Sequence, residues 1–156
     1  MNIEFLGNMA LLEREMVAFL APSRVSPVAV LPTLDWASDI VQTGKVVVSG
    51  FSSRMEKEVW SIFTRSSAPI VAVKVCKKYK KIPPIYSPLL ADGRLLLVFL
   101  GIGVRLDRKN AVRRNAYVAQ LAHEVVFPSL DEKSSLFSLY QKLKANNQNY
   151  TILSCF

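Results

Sequence analysis

Four short segments concentrate the residue types that hold anions. In APSRVSP (21–27), Ser23 and Ser26 set two hydroxyls around Arg24 just after an apolar run. A guanidinium grips phosphate bidentately, and the amides of a helix start favour an anion. The same Ser-Arg-Val-Ser stretch also fits a plain N-cap region with a solvated arginine. In SGFSSRMEKE (49–58), Gly50 follows Ser49 where a strand must turn, and Ser52 and Ser53 offer hydroxyls to a phosphate or a helix cap. Ser53 with Glu56 matches the S-x-x-E capping box, and a capped helix end is still an anion site. The stretch KVCKKYKKIPPIY (74–86) carries Lys74, Lys77, Lys78, Lys80 and Lys81 with Tyr79 and Tyr86 between and beyond them. Lysines neutralise phosphates and tyrosines stack on bases, although a charge run also serves as a solvated loop. The fourth segment, GIGVRLDRKNAVRRN (101–115), brings Arg105, Arg108, Lys109, Arg113, Arg114 and Asn115 to a strand-to-helix junction.

Catalytic constellations are poor by comparison. His123 stands beside Glu124 without an evident Ser or Cys partner and reads as a helix-end residue. Asp35 and Asp39, four apart, line one helix face and read as solvated. Gly101 and Gly103 lack the third glycine of a dinucleotide fingerprint, and no G-x-x-x-x-G-K-[ST] loop exists. No catalytic residue and no cofactor are therefore assigned. Two cysteines, Cys76 and Cys155, with the single histidine supply neither a disulfide framework nor a four-ligand zinc site, so no metal is expected. The thiols fit a reduced cytoplasm.

The chain has 156 residues, room for one domain, 1–156, and about half of them are hydrophobic. Its net charge of +8 is unevenly spread. Residues 1–73 hold 6 basic and 7 acidic side chains, 74–114 hold 11 and 2, and 115–156 hold 3 and 3. The whole excess falls in the middle segment, which implies a local basic surface. The sequence has no apolar run of membrane-spanning length and no basic-then-apolar leader at its start, so a membrane role is not expected.

Positioning those segments requires strands and helices in alternation. Apolar runs at 16–21, 45–48, 70–75, 94–100, 124–127 and 150–153 read as strands. Helical spacing marks 27–42, 54–64, 113–122 and 135–144, with Gly44 as a terminator of the first and Pro32 in its opening turn. Continuous apolar strands separated by helices predict a doubly wound, mostly parallel α/β sheet in a Rossmann-like three-layer sandwich. Such folds bind ligands beyond the carboxyl ends of the strands. That rule selects 21–26, 49–54, 75–84 and 101–115.

The ordered set 5–24, 45–60, 69–75, 94–100 and 113–129 resembles the DNA-processing protein A family (DprA, also called Smf), in the SLOG group of Rossmann-like proteins. Pro22-Ser23-Arg24 stands where members place a G-S-R-like turn, Ser49-Gly50 matches their S-G turn, and Arg114-Asn115-Ala116 corresponds to their R-N-R element. Many members carry a winged-helix domain as well, which is not expected within these 156 residues, and they continue the S-G turn with Arg-Gly-Ile-Asp, where this chain has Ser53-Arg54-Met55-Glu56. The resemblance implies a non-catalytic protein that binds single-stranded DNA in a basic pocket, acts as a homodimer and helps load RecA in natural transformation. By position it puts Ser23 and Arg24 at a first phosphate site, Ser49, Gly50 and Ser53 at a second turn, and Arg114 with Asn115 at the pocket's closure. Ser52, Arg113, Lys74, Lys77 and Lys78 join this set from charge and location.

Two other readings stay open. A SLOG-type nucleotide sensor or hydrolase would need a carboxylate, and Glu56 is the one to nominate, but the P-G-G-x-G-T-x-x-E element of the phosphoribohydrolases is absent. A domain serving association would use the apolar tail 150–156 to pair strand edges.

Overall fold

The computed structural model describes residues 2–154. Seven strands form one sheet: β1 (Glu4–Gly7), β2 (Met16–Phe19), β3 (Val46–Ser49), β4 (Ile70–Lys74), β5 (Leu95–Phe99), β6 (Glu124–Phe127) and β7 (Asn149–Ile152). Their spatial order is β1-β5-β4-β3-β2-β6-β7. All pairs are parallel except β1 with β5. The α/β three-layer sandwich read from the apolar runs is thus the observed architecture.

Alternate side chains of each strand feed opposite faces, as the two-residue period demands. Val17, Phe19, Val47, Ile70, Leu97 and Phe99 pack on one face under α1 (Val30–Thr43), α2 (Arg54–Thr64) and α3 (Ser87–Ala91), through residues such as Ala37, Met55, Phe63 and Leu89. Ala18, Leu20, Val48, Val71, Val73, Leu96 and Val98 pack on the other face under α4 (Arg108–Leu121) and α5 (Ser135–Ala145), through Val118, Ala119, Leu136 and Leu143. Each of the Val, Leu, Ile, Met and Phe side chains among them contributes about 1.5–3 kcal/mol by leaving water.

The helices begin and end where their residues supply partners for loose backbone groups. Gly44, at φ 73°, closes α1, a left-handed turn that glycine takes without penalty. Ser53 and Glu56 close a full capping box on α2. Asp107 caps α4 by accepting the Asn110 N–H at 2.7 Å, and Ser134 caps α5 by accepting that of Leu136 at 3.2 Å. A 3₁₀ turn, Pro27–Ala29, leads into α1, so Pro32 sits in the first helical turn, where its missing N–H costs nothing.

Three elements differ from expectation. β1 and α3 were not foreseen, and α4 starts five residues before 113. β1 is a four-residue, part-exposed edge strand held by antiparallel pairing with residues 96–99, a distant contact that leaves no local pattern. Among the described residues, no helix is long and apolar enough to cross a membrane. Of the tail 150–156, Cys155 and Phe156 lie outside the described residues; β7, which ends at Ile152, adds in parallel to β6.

Chain order fixes where the layers part. After β2 the chain builds outward through β3, β4 and β5, then α4 crosses back over β2, β3 and β4 so that β6 lands on the other side of β2. The connections leaving β2 and β6 therefore diverge, and a crevice opens at their carboxyl ends.

Candidate functional site

That crevice is a cleft of about 730 Å³. Its walls are the turn after β2 (Ser23, Arg24), the start of α2 (Ser52, Ser53, Glu56), the first two turns of α4 (Asp107, Arg108, Arg114, Asn115) and the β6–α5 connection (Asp131, Lys133, Ser134). Three helices thus point their N-termini at one space, an arrangement favourable to negative charge.

One negative charge is already built in. Glu56 is 1% exposed, and its Oε2 accepts the Ala21 N–H at 3.0 Å. Its Oε1 accepts the N–H groups of Ser52 at 2.9 Å and Ser53 at 3.3 Å. The carboxylate therefore ties the end of β2 to the start of α2. It occupies three backbone donors at these two turns, those of Ala21, Ser52 and Ser53. Committed to three backbone donors, it is poorly placed as a general base.

Arg114 supplies the buried positive charge. The residue is 4% exposed, with Nε and Nη2 donating to Asn115 Oδ1 at 3.3 and 3.0 Å. Burial lowers its pKa from the ordinary arginine value, and the charge of Glu56 pulls in the opposite direction. The ion pairs among the described residues are Lys45–Glu15 and Arg94–Asp92; Arg114 is in neither. A desolvated guanidinium whose Nε–Nη2 edge meets only a neutral amide, and which is in no ion pair, has much to gain from an incoming anion.

The turn behind Arg114 is shaped for it. A Cβ on Gly50 would stand against Cζ and Nε of Arg114, so only glycine leaves room for the guanidinium on this backbone. The neighbour that approaches Gly50 is thus the arginine. The left-handed residue of the turn is Phe51, at φ 51°, a conformation rare for a bulky side chain. Two features hold it: its N–H donates to the buried Ser49 Oγ at 3.1 Å, and its ring packs on Trp60 at 5.0 Å.

Of the residues singled out in sequence, Ser23, Arg24, Ser52, Ser53, Arg114 and Asn115 line the cleft together. Ser49 and Gly50 stand behind it and act through Phe51 and Arg114. Arg113 is exposed on α4 and does not line it. Lys74, Lys77 and Lys78 lie elsewhere, on the same carboxyl edge of the sheet but beyond β4. Lys74 Nζ sits 5.6 Å over the Tyr86 ring, and Lys77 borders a separate hollow with Asn2, Glu4 and Gly101. The loops after β4 and β5 are joined there by the N–H of Gly101 to Cys76 O and of Ile102 to Val75 O.

Tyr79 and Tyr86 do not stand free as stacking platforms. They stack on each other at 6.2 Å, Tyr79 meets Phe99 edge-on, and Tyr86 meets Trp60 edge-on. Burial, then Tyr86 and Cys76, raise the Tyr79 hydroxyl well above the usual tyrosine range. His123 lies on the opposite edge of the sheet, where its Nδ1 accepts the Met16 N–H at 3.1 Å.

Lys133, which no sequence motif marks, also lines the cleft, as does Arg108 of the fourth basic segment. Arg108 sits in the first turn of α4, which lacks an apolar stripe to announce it. Lys133 follows β6, and the strand-end rule reaches that loop only once β6 is known to neighbour β2.

No protein-family model matches the sequence, and no curated protein matches it. Solved structures do. DNA processing protein A from Helicobacter pylori, reported for its single-stranded DNA binding mode, superposes with a TM-score of 0.74 at 18% identity, covering 96% of this chain and 70% of its own. DNA processing protein A from Streptococcus pneumoniae gives 0.75 at 16% identity, with 99% of this chain covered but only 56% of that protein. A molybdenum cofactor carrier protein from Chlamydomonas reinhardtii is more distant, at 0.56 and 12% identity over 91% of this chain and 78% of its own. The chain shares the Rossmann-like fold of DNA processing protein A, as the resemblance in its sequence implied.

Proposed function

We propose that this chain binds single-stranded DNA at the cleft between the ends of β2 and β6. The observation that carries the reading is Arg114, a residue 4% exposed and in no ion pair among the described residues, lining a space with Arg24, Arg108 and Lys133. Support comes from the shared fold, since the H. pylori protein of that fold is described as binding single-stranded DNA. In this reading Ser23, Arg24, Ser52, Ser53, Arg114 and Asn115 contact the strand. Ser49 and Gly50 hold the turn that admits Arg114. Lys74, Lys77, Lys78 and Arg113 meet phosphates outside the cleft. The wider role is DNA uptake and recombination in the cytoplasm, as a homodimer that hands the strand to RecA. Fluorescence anisotropy with labelled oligothymidylate tests the binding. Tight binding at low salt that weakens steeply as salt rises is expected; absence of binding, or indifference to salt, sinks it.

A second reading is a compact nucleotide or nucleotide-like ligand. It is favoured by the near balance of charge in the cleft, where Glu56, Asp107 and Asp131 face the four cations. The fold similarity to a molybdenum cofactor carrier points the same way. Thermal stabilisation by one mononucleotide, with none by oligonucleotides, would favour it.

A further inference from the structure

The cleft has one deep cation and several shallow ones. Arg114 is 4% exposed at the floor, whereas Arg24, Arg108 and Lys133 are exposed and come from three different connections around the mouth. At the floor the N–H groups of Ser52 and Ser53, just before α2, are already taken by Glu56 and are closed to a second anion. Asn115 Oδ1 fixes the guanidinium through Nε and Nη2, and Gly50 leaves it lying flat on the turn. The one buried cation left for a ligand at depth is this pre-oriented arginine.

An internal phosphodiester is flanked by two sugars and carries one charge. To reach a group this buried, a strand would have to fold both flanks into the cleft. A terminal phosphomonoester has three free oxygens, carries about −1.5 to −2 charge at neutral pH, and drags only one sugar behind it. It can enter end-first and meet the guanidinium bidentately. The mouth cations then meet the next phosphates, and the lysines beyond β4 serve the body of the strand.

Resting on the cleft as the nucleic-acid site, we infer that it recognises a terminal phosphate, so that the strand is bound by its phosphorylated end. The ligand class is a phosphomonoester on a nucleotide, free or at the end of a chain.

Competition anisotropy tests this with one oligothymidylate in three forms: 5′-phosphorylated, unphosphorylated, and closed into a circle. The phosphorylated form is expected to compete on the order of tenfold better than the other two. Arg114→Met should erase that preference, and Arg114→Lys, which keeps the charge but loses the fork, should reduce it. Thermal melts of both variants confirm that they fold. Lys77→Ala with Lys78→Ala should weaken all three forms alike and keep the ratio. Equal competition by all three forms on the wild-type protein overturns the inference while leaving strand binding intact. If no oligonucleotide binds but thymidine monophosphate stabilises the protein, strand binding fails and phosphomonoester recognition stands. If neither binds, both fall.

Discussion

Two cationic regions share the carboxyl edge of the sheet and differ in almost every other respect. Beyond β4, Lys77, Lys78, Lys80 and Lys81 are exposed on a loop, and the nearby tyrosines are spent on each other and on Phe99 and Trp60. Between β2 and β6, a single buried arginine is held by Asn115, given room by Gly50, and balanced at a distance by a carboxylate with three backbone donors. The first region dominates the sequence's charge count; the second has the geometry of a site. Charge density shows where anions are attracted. A desolvated, pre-oriented cation shows where one is held.

The contrast can be broken by substitution, and the largest effect is expected at Glu56. Glu56→Ala leaves three N–H groups without their acceptor and Arg114 without its nearby negative charge. A loss of about 3–5 kcal/mol in urea-unfolding stability is expected, against no more than about 0.5 kcal/mol for Lys77→Ala. Arg114→Met separates binding from folding. Stability should change little, because removing a desolvated cation is offset by leaving Glu56 without its nearby positive charge and Asn115 Oδ1 without its donors, while oligothymidylate affinity falls on the order of ten- to hundredfold in anisotropy titrations. Gly50→Ala should copy much of that affinity loss by pushing the guanidinium aside.

Smaller changes sharpen the other side. Replacing Lys77 and Lys78 together by alanine should weaken binding a few-fold and flatten the salt dependence by about 0.7 per lost phosphate contact. At the same edge, Tyr79 keeps its proton in the folded state to higher pH than in the unfolded chain. Between the unfolded value near 10 and the folded one, the unfolded chain binds fewer protons, so stability should fall as pH rises through that window. Denaturant titrations of wild type and Tyr79→Phe should show a shallower fall in the variant.

Much of the scaffold was legible because parallel strands buried on both faces must be apolar throughout. β2, β3, β5 and β6 announce themselves as runs such as VVVS and LLLVF. The limits of α2 were legible too, since Ser53 and Glu56 mark its start and Met55, Val59 and Phe63 its buried stripe. α4 inverted the usual rule: Val112 is exposed while Arg114 and Asn115 are buried, so its first turns carried no apolar period. The site residues after β6 were hidden for a topological reason. Which strand returns beside β2 depends on a crossover that no local pattern records, and Lys133 is found only after that order is known. Gly50 marks a strand's turn in the sequence, yet the group that needs its missing side chain comes from a helix more than sixty residues later in the chain.

The central claim, that an anion is held at Arg114 and not at the lysine loop, is met most directly by a crystal structure of the protein with 5′-phosphorylated oligothymidylate. A phosphate within hydrogen-bond distance of the Arg114 guanidinium, between the turn after β2 and the first turns of α4, is expected. Nucleotide ordered along Lys74, Lys77 and Lys78 with the cleft empty would contradict it.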